Sequence, residues 1–385
     1  MKKKISILGS TGSIGSTSLN IISQYSSQYE VITLTGNHNV RKLSEQAIKF
    51  QAKNVVIGNE SKFQELKNLL AGRDIKAYSG YKAINHLASQ KYDITIIGIS
   101  GIIALYPIMH SIGNSKILGL ANKESIVCAG QFIMDKAKNS CTKIIPLDSE
   151  HNAISQILEV DNKDNIDKVV ITASGGPFLQ HPISKLKHMT AKEAVRHPNW
   201  KMGKKISVDC ANMVNKGIEV IEACILFDFD IDKVEAIIHH QSIIHGMIHY
   251  NDGTILTHMG FHDMRTPIST VLNYPKRLKF NYHFLDLNKA GVLSFEAISR
   301  KRFPLYFLAR QSYKIGRYSV ITFTIANEVA VNAFLNQRIT FLDIDYVIQK
   351  TLDQITQRTL ISLEEVFNFA QEIQKIANHI IVSIT

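Results

Sequence analysis

Short apolar runs punctuate the first part of the chain: Ile5-Ser6-Ile7-Leu8, Val31-Ile32-Thr33-Leu34, Val55-Val56-Ile57, Ile94-Thr95-Ile96-Ile97, Ile117-Leu118-Gly119-Leu120 and Ile144-Ile145. Each is too short for a helix and reads as a buried strand. Between them the apolar spacing turns helical, as at Leu19, Ile21 and Ile22. Strands alternating with helices predict a parallel sheet. Residues 169–172 form a further strand. Residues 239–250 then alternate, Asn251-Asp252-Gly253 is a hairpin turn, and residues 254–259 return. From Tyr274-Pro275 to Phe295 the pattern weakens, as in a linker. Helical stretches begin at Phe303 and Ile325, with Leu342, Val347, Ile348, Val366 and Ile373 on apolar faces, and predict a small helical bundle at the end.

The first strand runs directly into Gly9-Ser10-Thr11-Gly12-Ser13-Ile14-Gly15, and a helix follows. Glycines let backbone approach a pyrophosphate, and free N–H groups at the helix start receive its charge. The spacing is GxxGxxG rather than the commoner GxGxxG, and the Lys of a triphosphate-binding loop is missing. A glycine-rich turn without a ligand is the alternative. The second strand leads into Gly36-Asn37-His38-Asn39-Val40-Arg41 without the acid that binds ribose hydroxyls in NAD enzymes, so NADP is expected. Asn122-Lys123-Glu124-Ser125 stands at the C-terminal end of another strand, where Lys123 can polarise an oxygen or hold an anion. The plain alternative is a solvated Lys and Glu at a helix start.

Two carboxylates stand two residues apart in Pro146-Leu147-Asp148-Ser149-Glu150-His151-Asn152-Ala153. On extended backbone they point to the same side and can converge on a cation or a shared proton. The competing reading is a helix start, with Asp148 or Ser149 as N-cap and Glu150 favoured by the dipole. Ser174-Gly175-Gly176 is a second anion nest or a tight turn closed by Pro177. Trp200, the only tryptophan, lies in a polar loop between Arg196 and Gly203 and reads as a lid or a core anchor. Glu219 follows Asn215-Lys216; Glu222 lies three residues on, so one of the two acids can be surface. No HxxxH on a helix supports a zinc site for histidines 239, 240, 245, 249 and 258, which fit sheet faces better.

The composition narrows the class. With 385 residues, two or three domains are expected, and 45% apolar with 20% charged residues fit a soluble globular protein. The net charge of +11 favours anionic partners such as phosphorylated metabolites. Beyond Lys2-Lys3-Lys4 there is no basic run, so no nucleic-acid stripe is read. Four cysteines without CxxC pairing suit reduced thiols in the cytoplasm. The apolar run after Lys4 is too short for a signal peptide, and Gly98, Ser100, Gly101, Pro107 and His110 interrupt the stretch 94–115 that is otherwise long enough to span a membrane.

Taken together, the motifs identify a resemblance. GSTGSIG (9–15), LANKES (120–125), PLDSEHNA (146–153), SGGPF (174–178), RHPNW (196–200), NKGIE (215–219), DMRTPI (263–268) and ANEVAV (326–331) lie in the order of the 1-deoxy-D-xylulose 5-phosphate reductoisomerase family and span nearly the whole chain. The resemblance implies an α/β fold: a Rossmann-like NADPH-binding domain over 1–147, an α+β metal and substrate domain over 148–274, a linker over 275–300, and a helical domain over 301–385. It implies cofactor contacts at Thr11, Gly12, Ser13, Ile14, Gly36, Asn37, His38, Asn39, Asn122, Glu124 and Gly203. Asp148, Glu150 and Glu219 would hold Mg²⁺ or Mn²⁺, as hard carboxylate oxygens suit. Lys123, Ser149, Glu150, Ser174, His197, Trp200, Cys210, Asn215, Lys216 and Glu219 would touch the sugar phosphate, with Lys123 and Glu150 at the reacting atoms. The implied activity is NADPH-dependent conversion of 1-deoxy-D-xylulose 5-phosphate to 2-C-methyl-D-erythritol 4-phosphate by a cytoplasmic homodimer. Three departures stand out: Cys210 and Asn212 replace the usual Ser and Thr, His240 replaces a Pro, and Asn37-His38 vary the cofactor loop. The rival readings are a metal-free NADP semialdehyde-type dehydrogenase and a non-catalytic dinucleotide-binding protein.

Overall fold

A computed structural model describes residues 1–196, 202–279 and 284–385. The chain divides into two compact units, Met1–Ser125 with Gln131–Ser155 and Asp263–Tyr282, and Ile126–Gly130 with Gln156–His262 and His283–Thr385.

The first unit is built on strands β1 (Lys3–Leu8), β2 (Tyr29–Gly36), β3 (Asn54–Ile57), β4 (Lys76–Ser79), β5 (Tyr92–Ile97), β6 (Ser115–Leu120) and β7 (Lys143–Pro146). Helices α1 (Ser13–Gln24), α2 (Val40–Phe50), α3 (Phe63–Leu69), α4 (Gly80–Ala88), α5 (Leu105–Ser111) and α6 (Lys123–Lys138) connect them, and α7 (Ser149–Ile157) follows β7. All seven strands are parallel, in the order β4-β3-β2-β1-β5-β6-β7. Ile5, Ile7, Leu34, Val55, Ile94 and Ile96 are fully buried, as central strands covered by helices on both faces require. The order reverses between β1 and β5, which makes a crevice at their C-terminal ends. Strand β4 escapes the apolar pattern because it is a partly exposed edge strand with little to bury. The stretch 94–115 resolves into β5, a turn and α5, as the interrupting residues suggest. Pro146 closes β7 as the partner of Leu120, and β7 is an edge strand, where a missing N–H is tolerated.

The second unit begins with β8 (Ile166–Ala173), α8 (Ala191–Ala194), α9 (Lys204–Ala211) and α10 (Val214–Phe227), followed by β9 (Val234–His239), β10 (Ile244–Tyr250) and β11 (Ile255–Met259). The expected hairpin is β10 and β11, antiparallel about Asn251-Asp252-Gly253. The alternation over 239–250 is not one strand: β9 ends at His239, the chain turns through Ser242 (φ 51°), and β10 starts at Ile244. The chain then returns to the first unit as α11 (Arg265–Asn273), whose Ile268, Val271 and Leu272 join the apolar cluster of Ile5, Leu19, Ile145 and Leu147. Val271 lies so close to Gly119 that a Cβ there would come within 2.8 Å of it. This return, and the continuity of β7 with α7, are why the compact units divide the chain elsewhere than at 147/148 and 274/275. Within the stretch read as a linker lie α12 (Leu287–Ala290) and β12 (Phe295–Ala297), the latter an edge of the five-stranded sheet β11-β10-β8-β9-β12.

The C-terminal bundle consists of α13 (Pro304–Ile315), α14 (Arg317–Leu335), α15 (Asp343–Asp353) and α16 (Leu363–Ile384). It packs on α9 and α10, so it belongs to the same unit as the second sheet. Helix α14 is long and apolar enough to cross a membrane, but it is mostly buried inside this unit, as a core helix is. Among the described residues, none of histidines 239, 240, 245, 249 and 258 joins a metal-ligating group. His245 is 7% exposed; burial, reinforced by neighbouring His258, lowers its pKa from 6.5 to about 4. The unfolded chain therefore binds a proton between these values that the folded chain refuses. His245 should cost about 2–3 kcal/mol of stability as pH falls from 6.5 to 4. Denaturant unfolding across this range should show the loss, and His245→Gln should flatten it; an unchanged slope would refute the assignment.

Candidate active site

The glycine loop is shaped by contacts that a side chain would destroy. A Cβ at Gly15 would lie 2.4 Å from Ser10 Cα, and one at Gly9 (φ 96°) 2.7 Å from the Gly98 backbone across the β1–β5 crevice. Gln46 of α2 fixes the loop by accepting from Ser10 Oγ (2.8 Å) and donating to the Ser10 carbonyl (3.0 Å). Lys42 Nζ also donates to the Thr11 carbonyl (2.8 Å). Gly12 is the N-cap of α1, which has no side-chain cap and no acid in its first turn, so its leading N–H groups suit an anion. Thr11, Gly12, Ser13 and Ile14 thus line a cradle that fits a pyrophosphate.

At the end of β2, the His38 ring stands between the amides of Asn37 (3.1 Å) and Asn59 (3.2 Å), and Asn39 caps α2 by accepting from the Lys42 N–H. Gly36 accepts from the Gly58 N–H at 2.8 Å, which ties this loop to the end of β3. Asn59 was not singled out by sequence, since only tertiary pairing brings it beside His38.

The β6–α6 junction gathers buried polar groups. Asn122 caps α6 by accepting from the Ser125 N–H (2.7 Å), and its amide donates to the Ile99 and Gly101 carbonyls (2.9 Å each). Those bonds fix the turn after β5, at the C-terminal end of the sheet. Lys123, 8% exposed, is not the solvated lysine of the plain reading: its ammonium pairs with Asp148 at 2.5 Å. Glu124 is buried as well.

Asp148 and Glu150 do not share one extended segment. The Asp148 carbonyl accepts from the Asn152 N–H (2.9 Å) as α7 begins, and Glu150 lies in its first turn. The helix-start reading of the local structure is the correct one, and it does not remove the carboxylates from the site. Ser149 Oγ donates to the Glu150 carboxylate, and Asn152 Nδ2 donates to the Pro146 carbonyl (2.9 Å). His151, fully buried, brings Nδ1 to 3.9 Å from Asp148. Its place in the motif gave no sign of this.

In the second unit, Gly175 (φ 87°) and Gly176 (φ 71°) turn the chain after β8, and the Gly176 N–H donates to Ser174 Oγ (3.2 Å). Gly203 is the N-cap of α9, the one expected cofactor contact in this unit. Cys210, half-buried, lies near the end of α9. Cys224, by contrast, is an inert core thiol that burial pushes up to about 12. Asn212, one of the departures, keeps a structural duty: its Oδ1 accepts from the Val214 N–H (3.0 Å) at the start of α10. Asn215 and Lys216 both donate to the Glu219 carboxylate, and all three side chains are buried. Glu222 is also 1% exposed, so neither acid of this helix is a surface group. His197 and Trp200 lie outside the described residues.

Three family models match the chain: 1-deoxy-D-xylulose 5-phosphate reductoisomerase over residues 5–130, its C-terminal domain over 144–227, and the DXP reductoisomerase C-terminal domain over 259–376. The 1-deoxy-D-xylulose 5-phosphate reductoisomerase of Zymomonas mobilis is 42% identical over 370 residues, covering 96% of this chain and 95% of that protein. The solved structure of the Zymomonas mobilis enzyme in complex with NADPH superposes with a TM-score of 0.93 at 40% identity and covers 99% of both chains. A DOX-P reductoisomerase in complex with NADPH, fosmidomycin and magnesium gives a TM-score of 0.93 at 36% identity, again over 99% of both chains. On this full-length similarity, the chain belongs to the 1-deoxy-D-xylulose 5-phosphate reductoisomerase family.

Proposed function

We propose that the chain converts 1-deoxy-D-xylulose 5-phosphate to 2-C-methyl-D-erythritol 4-phosphate with NADPH and a divalent cation, Mg²⁺ or Mn²⁺, in isoprenoid precursor biosynthesis. The observation that carries the reading is the pairing of site carboxylates with donors: Asp148 with Lys123, and Glu219 with Asn215 and Lys216. Such sets offer hard oxygens to a cation and N–H groups to a phosphate. In this reading residues 1–147 serve the cofactor and 148–274 the metal and substrate. Asp148, Glu150 and Glu219 hold the cation; their all-oxygen donor set fits Mg²⁺ or Mn²⁺ and not zinc. When bound, the cation supplies Lewis-acid polarisation of the sugar oxygens and NADPH supplies the hydride.

The chain's own residues do the rest. Thr11, Gly12, Ser13 and Ile14 receive the pyrophosphate, and Gly36, Asn37, His38 and Asn39 receive the adenosine phosphate. Asn122, Glu124 and Gly203 position the rest of the cofactor. Lys123 places a positive charge beside the reacting oxygens, while Ser149 and Glu150 orient the hydroxyls. Ser174, His197, Cys210, Asn215 and Lys216 hold the phosphate handle, and Trp200 covers the sugar. An ammonium carries three donors and an amide nitrogen two, so Lys216 and Asn215 can keep Glu219 and still bind the phosphate.

NADPH oxidation with the deoxyxylulose phosphate tests the reading. It should require the sugar, cease with a chelator and return with Mg²⁺ or Mn²⁺. Turnover indifferent to chelator would favour a metal-free dehydrogenase, and cofactor binding without turnover would favour a non-catalytic protein. The acid-free end of β2 gives a further prediction. His38→Glu should lower the NADPH-over-NADH preference in kcat/KM by about tenfold or more, because a carboxylate repels a 2′-phosphate and accepts a 2′-hydroxyl. An unchanged ratio would place His38 away from that phosphate.

The homodimer is also proposed. Ile255 and Met259 on edge strand β11, with Phe261 just beyond and Phe295 on edge strand β12, are exposed apolar side chains of a kind that a second copy would cover. Sedimentation should give twice the chain mass, and Ile255→Lys should shift it toward the monomer. We propose that the enzyme works in the cytoplasm, whose reducing conditions suit four cysteines that form no disulfide.

A further inference from the structure

We infer that Asp209 and Asn327 are positioning residues for the substrate phosphate, an inference that rests on the function proposed above. Asp209 lies on α9, with its side chain 4% exposed. One carboxylate oxygen accepts from Lys205 Nζ, a turn earlier, at 2.9 Å. The other accepts from Asn327 Nδ2, in the middle of α14, also at 2.9 Å. Asn327 is fully buried, on a helix that supplies none of the expected ligands. A buried carboxylate is costly to desolvate, so its retention calls for a reason other than core packing.

The reason lies in what α9 supports. The Cys210 carbonyl and Ala211 Cα press on Gly176, where a Cβ would come within 2.5 and 3.0 Å of them. Gly176 donates to Ser174 Oγ, so one side of α9 abuts the turn that aims that hydroxyl. Past Ala211 the chain reverses through Met213 (φ 63°) and delivers Asn215 and Lys216 on α10, starting at the Asn212–Val214 bond. A slide or roll of α9 would therefore displace both the Ser174 turn and the Asn215–Lys216 pair. Apolar packing alone is not directional, whereas charge-assisted bonds to a buried carboxylate fix both register and rotation. Asn327 thereby ties the C-terminal bundle to the phosphate-binding groups without touching the substrate.

The test compares Asn327→Asp, which sets two carboxylates against each other, with the exchange D209N/N327D, which restores one donor and one acceptor. Asn327→Asp should raise KM for the sugar phosphate about tenfold, leave KM for NADPH within about twofold, and weaken inorganic phosphate in calorimetric titration by a similar factor. The exchange should recover most of both losses. A merely structural pair would lower the melting temperature, leave the substrate KM and phosphate affinity unchanged or shift both KM values equally; either result overturns the inference, as does an exchange no better than the single variant. Should Asn327→Asp fail to fold, Asn327→Ala, which deletes only the donor, carries the same comparison. Absence of turnover in the unmodified enzyme would refute the proposed function instead. Phosphate titration would then decide the positioning role, weaker binding in the variant supporting it and equal binding overturning it.

Discussion

Asp148→Asn, Glu150→Gln and Glu219→Gln are each expected to lower kcat by about a thousandfold or more at saturating Mg²⁺, in proteins that remain folded. Each change keeps the shape of the side chain and removes one negative charge, and a hard divalent ion is held mainly by such charges. The three should differ in stability. Glu219 is the acceptor of two buried donors, one of them the Lys216 ammonium, so its loss leaves a buried cation short of charge. That costs about 1–3 kcal/mol. Glu150 is only half-buried and accepts from a neighbouring hydroxyl, so Glu150→Gln should melt close to the unmodified protein. Activity assays alongside thermal melts separate the two effects. Near-normal turnover in any of the three would remove that residue from the ligand set.

Gly15→Ala should reduce NADPH affinity by about a hundredfold and destabilise the first unit by about 1–3 kcal/mol. The new methyl would meet Ser10 Cα at 2.4 Å, the Gly9 carbonyl oxygen at 2.5 Å and the Ser10 carbonyl carbon at 2.7 Å. All three are backbone atoms, so no side chain can swing away and the loop itself must lift from α1. The N–H groups that would receive the pyrophosphate would move with it. Gly12→Ala is the informative contrast, because its Cβ would meet only the Gly9 carbonyl oxygen, at an ordinary 3.5 Å. Its stability should stay near normal. Cofactor titration and melting of both variants test the pair; a Gly15→Ala protein that binds NADPH normally would show the loop to be adaptable.

Much of this architecture is legible in the chain because buried parallel strands must be apolar, and six of the seven announce themselves. The seventh, β4, buries little and so carries no pattern. The motifs named candidate site groups, but local spacing left their setting open. Asp148 and Glu150 read either as an extended pair or as a helix start, and α7 begins between them. Glu222 read as a possible surface acid by its distance from Glu219. Yet the polar face that Asn215, Glu219 and Glu222 share on that helix is buried along with its apolar residues, so it has no solvent face to offer. The sequence carried no signal of that burial. The approach of Asn327 to Asp209, across more than a hundred residues, had none, because a single polar residue in an apolar helix does not name its partner.

The return of α11 to the first unit bears on how the protein is made. A ribosome delivers residues in order, and domains ordinarily fold as they emerge. Here the seven-stranded sheet is complete by Pro146, yet Ile268, Val271 and Leu272 of its apolar cluster arrive only after the first half of the other unit has been synthesised. Burying those three side chains contributes roughly 2 kcal/mol each. Together that is comparable to the whole net stability of a small domain, about 5–15 kcal/mol. The nascent sheet must therefore wait, with Gly119 and Leu147 uncovered, until α11 has cleared the exit tunnel. A chain cut after Ser155 should be a sticky, chaperone-bound fragment rather than a free-standing nucleotide-binding module.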